Sequence, residues 1–165
     1  MTHVIHKIPP VYNKNSQILI LGSFPSVKSR ENHFYYGHPQ NRFWKVLSTI
    51  VNDVLPETID EKKDFLLKNH IAVWDVIASC DIEGSSDSSI KNAVPNDFSD
   101  IPKAARIRKI YTNGGTAYKL YHKYCEKVTG IKAMKLPSTS PANASYSLDR
   151  LISEWKVIAD QISKD

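Results

Sequence analysis

Four short hydrophobic runs stand out along the chain, separated by longer segments that carry polar residues at helical spacing. The runs lie at residues 16–21, 71–76, 107–112 and 131–136. Runs of this length that are rich in β-branched and leucine side chains predict buried strands. Because strands alternate with helical segments, the pattern predicts an α/β fold. We expect a three-layer sandwich, with a central, mostly parallel four-stranded sheet and helices on both faces.

The segments between the strands predict four helices. They span residues 41–51, residues 60–69 with Asp60 as N-cap, residues 117–128, and a last helix that begins near Ser145 or Ser147 and carries an apolar stripe to Ile162. Residues 81–100 are rich in Ser, Asp, Asn and Pro and are interpreted as a long surface loop. The length and the lack of an internal repeat predict one domain over residues 1–165.

Three of the predicted strands end in loops that are rich in polar or aromatic side chains. The loops begin at Gly22, at residues 113–115 (Asn-Gly-Gly) and at residues 137–141 (Pro-Ser-Thr-Ser-Pro). The carboxyl ends of parallel strands lie at one edge of a sheet, where α/β proteins bind ligands, so these loops are expected to form one cleft. Its aromatic, amide and hydroxyl groups suit a flat heterocycle, and its few carboxylates make it a poor site for a metal.

Composition and charge exclude few classes of function. The chain has 22 Lys and Arg against 17 Asp and Glu, which gives a formal net charge of +5. This excess permits binding to a polyanion without requiring it. Cys80 and Cys125 are too few for a disulfide scaffold and are interpreted as thiols in a reducing cytosol. Without a signal-peptide pattern or an apolar run near the roughly 20 residues that span a bilayer, we expect a soluble cytoplasmic protein without membrane contact.

Two motifs resemble those of the uracil-DNA glycosylase superfamily. Residues 22–26 (Gly-Ser-Phe-Pro-Ser) and 38–46 resemble its first motif, and residues 136–143 (Leu-Pro-Ser-Thr-Ser-Pro-Ala-Asn) resemble its second, the loop that enters the DNA groove as the base leaves. Together with residues 35–44, Trp74-Asp75-Val76 and Thr112-Asn113-Gly114, the pattern is similar to the hypoxanthine-DNA glycosylase (DNA-deoxyinosine glycosylase) branch. The resemblance extends from the first strand to the last helix.

The chain departs from the superfamily pattern at two positions. Phe24 stands where much of the superfamily carries Asp or Asn, and Ser138 replaces the usual Asn or His of the second motif. The residue that activates or positions water is therefore missing from its usual place. In the hypoxanthine branch the resemblance implies Asn41 as the substitute, and the same departures disfavour efficient removal of uracil.

Asn41 allows two interpretations that do not exclude each other. Cleaving an N-glycosidic bond builds positive character on the sugar and negative charge on the base, so donors aimed at the base and a positioned water promote the reaction. A carboxamide can orient water through its oxygen and donate through its nitrogen, but it is not a strong base. Hypoxanthine suits such a site better than adenine because its oxo group stabilises the departing anion. An Asn just before a helix is equally a good N-cap.

The resemblance and the residue types together suggest a base pocket that contains Ser23, Phe24, Tyr36 and Asn113. Tyr36 is the candidate to stack on an extruded base; its alternative is a packing role. Asn113 is the candidate to hydrogen-bond the base edge; its alternative is a turn residue before Gly114. His38 is a second catalytic candidate, as a donor to the leaving base or its phosphate, or else a structural loop histidine.

A further group of residues is suggested to contact DNA. Ser138, Thr139 and Ser140 carry hydroxyls and backbone N–H groups that suit phosphates, and Ala142 suits the gap left by a flipped nucleotide. Lys28 and Arg30 in the first loop are candidate phosphate contacts. The alternative for the second motif is a Ser/Pro loop that ends in a helix cap.

Other enzyme classes fit the sequence less well. It lacks the Gly-x-Ser-x-Gly spacing of a serine hydrolase and the Gly-x-x-x-x-Gly-Lys-Ser/Thr spacing of a phosphate-binding loop. We therefore predict a monomeric, monofunctional glycosylase that acts on DNA containing deaminated bases, hypoxanthine first, without cofactor or metal. Two alternatives stay open: a mismatch-specific uracil or thymine glycosylase, and a non-catalytic nucleic-acid-binding module.

Overall fold

The computed structural model describes residues 2–162, apart from the side chains of Pro102 and Lys103. The strands are β1 (Thr2–Ile5), β2 (Ile18–Gly22), β3 (Ile71–Asp75), β4 (Ile77–Ile82), β5 (Lys91–Pro95), β6 (Lys109–Asn113) and β7 (Ala133–Leu136). The helices are α1 (Val27–Asn32), α2 (Phe43–Ile50), α3 (Ile59–Lys68), α4 (Ile101–Ala104), α5 (Gly115–Tyr124), α6 (Glu126–Thr129), α7 (Leu148–Trp155) and α8 (Val157–Asp160). Among these helices, none combines the length and hydrophobicity needed to cross a bilayer.

A four-stranded parallel sheet forms the centre of the molecule, in the order β3-β2-β6-β7. All five residues of β2 are buried because both faces of the sheet are covered. Ile18 and Ile20 contribute to a core shared with α2, α3 and α7, whereas Leu19 and Leu21 contribute to a second core shared with α5. The predicted α/β class, with helices on both faces of a parallel four-stranded sheet, is confirmed.

The structure contains a second sheet that the sequence pattern does not predict. It is antiparallel, in the order β1-β4-β5, and β4 follows β3 after a single intervening residue. Residues 81–100, predicted to be a surface loop, contain the end of β4, a short 3₁₀ turn (Asp87–Ser89) and β5. That prediction is wrong because β5 (Lys-Asn-Ala-Val-Pro) is a short, largely exposed edge strand that ends in proline, and such strands carry little hydrophobic signal.

Helix boundaries differ from the predicted ones where a local cap decides them. Thr58, rather than Asp60, caps α3, and it forms a reciprocal capping box with Glu61. The short helix α1 lies inside the loop that begins at Gly22, where no helix was predicted, and the Ser26 side chain caps it. Ser147 caps α7, as one of the two predicted starts, but that helix ends at Trp155 and the apolar stripe continues in α8.

Replacing Ile20 with Ala tests the role of β2. Ile20 is fully buried, and its strand β2 lies between the parallel strands β3 and β6. Truncating its side chain therefore removes buried hydrocarbon and leaves a cavity. We expect the free energy of unfolding to fall by about 2–5 kcal/mol, measured by urea denaturation. Val54→Ala is the matched control: Val54 is 82% exposed, and its truncation is expected to change stability by no more than about 0.5 kcal/mol. Equal losses of unfolding free energy in the two variants would contradict the burial of Ile20 in the core.

Candidate active site

A cleft of about 810 Å³ opens at the carboxyl edge of the central sheet. Gly22, Asp75, Asn113 and Leu136, the last residues of the four parallel strands, all line it. A crevice at this edge is where α/β sheets bind ligands, and its volume lies in the range of small-molecule sites. The predicted convergence of the strand-end loops is therefore present in the structure.

Thr139 joins three parts of the cleft. Its hydroxyl donates to Asn41 Oδ1 over 2.8 Å and accepts from Asn113 Nδ2 over 3.0 Å. Its backbone N–H donates to Asn113 Oδ1 over 3.0 Å, and its carbonyl accepts from the backbone N–H of Arg42. Thr139 is fully buried. It therefore acts as an internal connector in this structure, whereas the sequence suggested a contact to a DNA phosphate.

The two ends of the Asn41 carboxamide have different surroundings. Oδ1 accepts from the Thr139 hydroxyl and also from the backbone N–H of Phe43, over 2.9 Å, so both of its lone pairs are engaged. Among the described residues, Nδ2 has no hydrogen-bond partner, and Asn41 lines the cleft. The N-cap of α2 is Arg42, which makes no side-chain capping bond, so the interpretation of Asn41 as the N-cap is wrong. Asn41 lies one residue earlier, where its oxygen accepts from the first helical N–H and its nitrogen remains available as a donor.

Asn113 uses one edge of its amide on Thr139. Oδ1 accepts from the Thr139 backbone while Nδ2 donates to the Thr139 hydroxyl. The paired donor and acceptor on that edge are no longer free for a base, and each atom retains one further hydrogen-bonding position. Asn113 lies in the cleft as predicted, but its visible contacts position Thr139.

Both predicted base-binding aromatic residues, Tyr36 and Phe24, line the cleft. The Tyr36 ring stacks on Phe43, with ring centres 3.8 Å apart and an 18° angle between the planes. Tyr36 has a left-handed backbone (φ 52°), and its buried hydroxyl makes no hydrogen bond within the described residues, although the Asn113 side chain lies beside it. Burial, assisted by the Asp75 carboxylate, raises the pKa of Tyr36. Phe24 is 8% exposed and contacts His6 edge to face.

Asp75, which lines the cleft, is paired with the buried His6, which does not. His6 Nε2 lies 2.8 Å from Asp75 Oδ2, and both side chains are almost fully buried. The backbone N–H of Ile8 donates to His6 Nδ1, which leaves the ring proton on Nε2 and makes the imidazole a neutral donor to the carboxylate. A Cβ on Gly22 would lie 2.4 Å from Asp75 Oδ1, so only glycine fits beside this carboxylate.

Ser23 connects the cleft to the second sheet. Its hydroxyl donates to Asp87 Oδ1 over 2.9 Å, and both residues line the cleft. Asp87 is exposed as a residue, but its carboxyl group is partly enclosed by the cleft wall. This enclosure raises the pKa of Asp87; the Ser23 hydrogen bond opposes the rise, and the Asp75 carboxylate adds to it.

The second-motif loop is held in place by Arg42 and Trp155. The Arg42 guanidinium donates to the carbonyls of Thr139, Ser140, Asn143 and Tyr146, and Trp155 Nε1 donates to Pro137 O over 2.9 Å. A planar guanidinium is suited to such a set because it offers several donors in a fixed geometry. The protein's own hydrogen bonds therefore anchor the loop to the start of α2 and to α7.

The structure brings together most of the predicted residues, but not all of them. Ser138, Ser140 and Ala142 line the cleft, and Ala142 is exposed. His38 does not line it; its ring Nδ1 accepts from the Gln40 backbone.

The predicted basic DNA contacts, Lys28 and Arg30, also lie outside the cleft lining. Lys28 pairs with Glu31, and Arg30 donates to the Gly84 carbonyl while its guanidinium covers the Phe24 ring at 5.7 Å. The geometry therefore gives Arg30 an internal role in supporting the turn that carries Asp87. A basic residue not suggested by the sequence, Lys135, does line the cleft.

His6, Asp87 and Arg42 are the principal site residues that sequence reasoning missed. His6 reaches Asp75 across 69 positions, and Arg42 reaches Tyr146 across 104, so no local spacing indicates either contact. Asp87 lies in a Ser-rich stretch that looks like solvent-exposed loop. The available signal was that stretch itself, because a long polar connection in a compact domain is often functional.

The fold and the cleft define an α/β protein with a partly aromatic, polar cleft at the carboxyl edge of a parallel sheet. The family model of the uracil-DNA glycosylase superfamily matches residues 9–160. This protein therefore belongs to the uracil-DNA glycosylase superfamily.

Individual relatives agree with this family. A hypoxanthine DNA glycosylase from Methanosarcina acetivorans is 38% identical over 152 residues, which cover 91% of this chain and 94% of that protein. One from Methanosarcina barkeri is 35% identical over 136 residues, covering 82% and 85%. The solution NMR structure of a candidate uracil DNA glycosylase from Methanosarcina acetivorans superposes with a TM-score of 0.80 at 34% identity, covering 94% of this chain and 97% of that one.

Replacing Asp87 with Asn is expected to stabilise the protein at neutral pH. The folded state raises the pKa of Asp87, so the charged carboxylate destabilises the fold above that raised pKa. The Asp87→Asn variant should have a higher Tm than the wild type at neutral pH. The gain should shrink as the pH falls and disappear below the ordinary carboxyl pKa of 3.8, where both states are protonated.

The control for this measurement is Asp60→Asn, at an exposed aspartate outside the cleft in the first turn of α3. It should give no gain, because a negative charge there interacts favourably with the helix dipole. A gain in Tm for Asp87→Asn that grows as the pH falls would contradict a raised pKa of Asp87 in the folded state.

Proposed function

We propose that this protein is a monofunctional DNA glycosylase that hydrolyses the N-glycosidic bond of deaminated bases in DNA, with hypoxanthine (deoxyinosine) as the preferred base. Membership of the uracil-DNA glycosylase superfamily supports the reaction type, and the relatives named hypoxanthine DNA glycosylase support the base. The products are the free base and an abasic site. The protein acts inside the cell, as a monomer, without a metal or cofactor.

The observation that carries this proposal is the divided environment of Asn41. Its oxygen is occupied by Thr139 and Phe43, while its nitrogen remains available in the cleft. We therefore assign Asn41 as a donor to the departing base, where negative charge accumulates as the bond breaks. An occupied oxygen is poorly placed to activate water, so stabilisation of the leaving group dominates. This balance favours a base that leaves readily.

The cleft also supports a mode of base binding. A base that is stacked inside duplex DNA cannot enter the cleft, so the target nucleotide must leave the stack. Tyr36 and Phe24 offer aromatic surface to the extruded base, and Ser23 and Asn113 offer polar contacts. Ser138, Ser140 and Ala142 lie in the loop that we assign to the DNA, with Ala142 exposed to enter the vacated position.

Uracil in mismatches is the second candidate substrate. It is supported by the superfamily itself and by the similarity to a candidate uracil DNA glycosylase. Phe24 and Ser138 argue against it as the preferred base, because neither can activate or orient water as a carboxylate or histidine does.

A panel of matched oligonucleotides tests the proposal. Duplexes that contain hypoxanthine, uracil or xanthine, or a thymine mismatch, are incubated with excess protein, and abasic sites are measured over time. We expect hypoxanthine to be released fastest, without strand cleavage by the protein itself. Faster release of uracil would overturn the base preference, and binding without release of any base would favour a non-catalytic module.

Replacing Asn41 with Ala is expected to reduce the single-turnover rate constant for hypoxanthine release by about 10²–10³-fold, the usual effect of removing one positioned donor. The variant also loses the acceptor for Phe43, so its Tm is measured alongside. Gln40→Ala is the matched control, because Gln40 is the exposed neighbour and does not line the cleft. Unchanged release by Asn41→Ala would remove Asn41 from the catalytic site.

A further inference from the structure

Asp87 is a carboxyl group in the cleft that the proposed reaction does not yet use. It begins the 3₁₀ turn between β4 and β5, and its Oδ1 accepts from Ser23. Within the described residues no Lys, Arg or His forms an ion pair with it. Its other oxygen is therefore free to hold a proton and to face a bound ligand.

The reaction needs a group that can transfer a proton, and the other cleft residues supply few. A carboxamide such as Asn41 can donate a hydrogen bond but cannot release a proton to the base. The raised pKa of Tyr36 keeps its hydroxyl protonated. Asp75 lines the cleft, but it is 3% exposed and its Oδ2 is occupied by His6.

Two further carboxyl groups line the cleft, those of Asp87 and of Glu154 on α7. Asp87 is the one that accepts from Ser23 and lies beside Asp75 and Tyr36 at the strand ends, so we take it as the proton donor.

We propose that Asp87 is a general acid that protonates N7 of the purine as the C1′–N9 bond breaks. This inference rests on the proposed removal of hypoxanthine. The Asp87 proton moves to N7, and the electron pair of the C1′–N9 bond moves into the purine ring, so the base leaves as a neutral molecule. Water then adds to C1′, and its proton returns to the Asp87 carboxylate. The products are one abasic sugar and one hypoxanthine.

The charges around Asp87 favour the acid form. Asp75 faces it from β3, Tyr36 from the loop before α2, and Cys80 from β4; none of them is a cation. The guanidinium of Arg30, on α1, is directed to the Gly84 carbonyl and the Phe24 ring. Lys135, on β7, also lines the cleft, but among the described residues it forms no ion pair with Asp87. Partial burial and the Asp75 carboxylate together raise the pKa of Asp87, in the direction that an acid needs.

This role gives Asp87 a base-specific effect. Purines have a basic nitrogen at N7, whereas uracil has no imidazole ring and leaves as an anion stabilised by its two oxo groups. An acid directed at N7 therefore assists the release of hypoxanthine and not that of uracil. A group that merely supports the cleft would affect both bases alike.

Single-turnover excision of hypoxanthine and of uracil, each followed over the pH range in which the protein stays folded, tests the proposal. Asp87→Asn should lower the rate constant for hypoxanthine by about 10²–10⁴-fold and leave that for uracil near the wild-type value. The wild-type rate for hypoxanthine should fall as the pH rises through the pKa of Asp87. In the variant this decrease should be absent.

Ser23→Ala provides a second, independent variant. Removing the Ser23 hydrogen bond removes a contact that lowers the pKa of Asp87, so the decrease in hypoxanthine release should move to higher pH. Asp60→Asn, outside the cleft, should retain both rates and the wild-type pH profile.

Three results would overturn the acid role: equal losses on the two bases, unchanged hypoxanthine release by Asp87→Asn, or a pH profile that persists in that variant. Each leaves the proposed function standing, provided that the wild-type protein releases hypoxanthine. A wild-type protein that releases uracil and not hypoxanthine would overturn the proposed function together with this inference. The two failures are therefore distinguishable in one set of measurements.

Discussion

The arrangement of the cleft depends on the buried hydrogen bonds of Thr139. The backbone N–H, carbonyl and hydroxyl of this residue all have partners, on Asn113, Arg42 and Asn41. Three loops that leave different strands are thereby fixed relative to one another. Buried polar groups stabilise a structure only when they are fully paired, and Thr139 satisfies this condition. The loops can thus stay ordered without a hydrophobic core of their own.

The same contacts determine what Asn41 can contribute chemically. An amide has a donor end and an acceptor end, and the fold engages the acceptor end twice. A residue that looks like a helix cap in sequence therefore becomes a directed donor in the structure. In the proposed reaction, the carboxyl group of Asp87, from the turn between β4 and β5, supplies the transferable proton that an amide lacks.

The central sheet was predictable from sequence because its strands are continuous hydrophobic runs buried on both faces, as in β2. The strands β1 and β5 were not, because edge strands with exposed polar side chains lack that signal. The cleft itself was predictable from the strand ends. Its charge pattern was not, because the contacts of His6 with Asp75 and of Ser23 with Asp87 join residues more than sixty positions apart.

The turn between β4 and β5 forms one wall of the cleft. Its side chains can contact a ligand but contribute little to the stability of the fold. Ser85, Ser86 and Ser88 line the cleft but belong to neither hydrophobic core. Exposed positions of this kind usually tolerate substitution with little change in stability. If the proposed function holds, substitutions at this hairpin tip are expected to change which base the cleft accepts, while the parallel sheet and the Thr139 connections stay as they are.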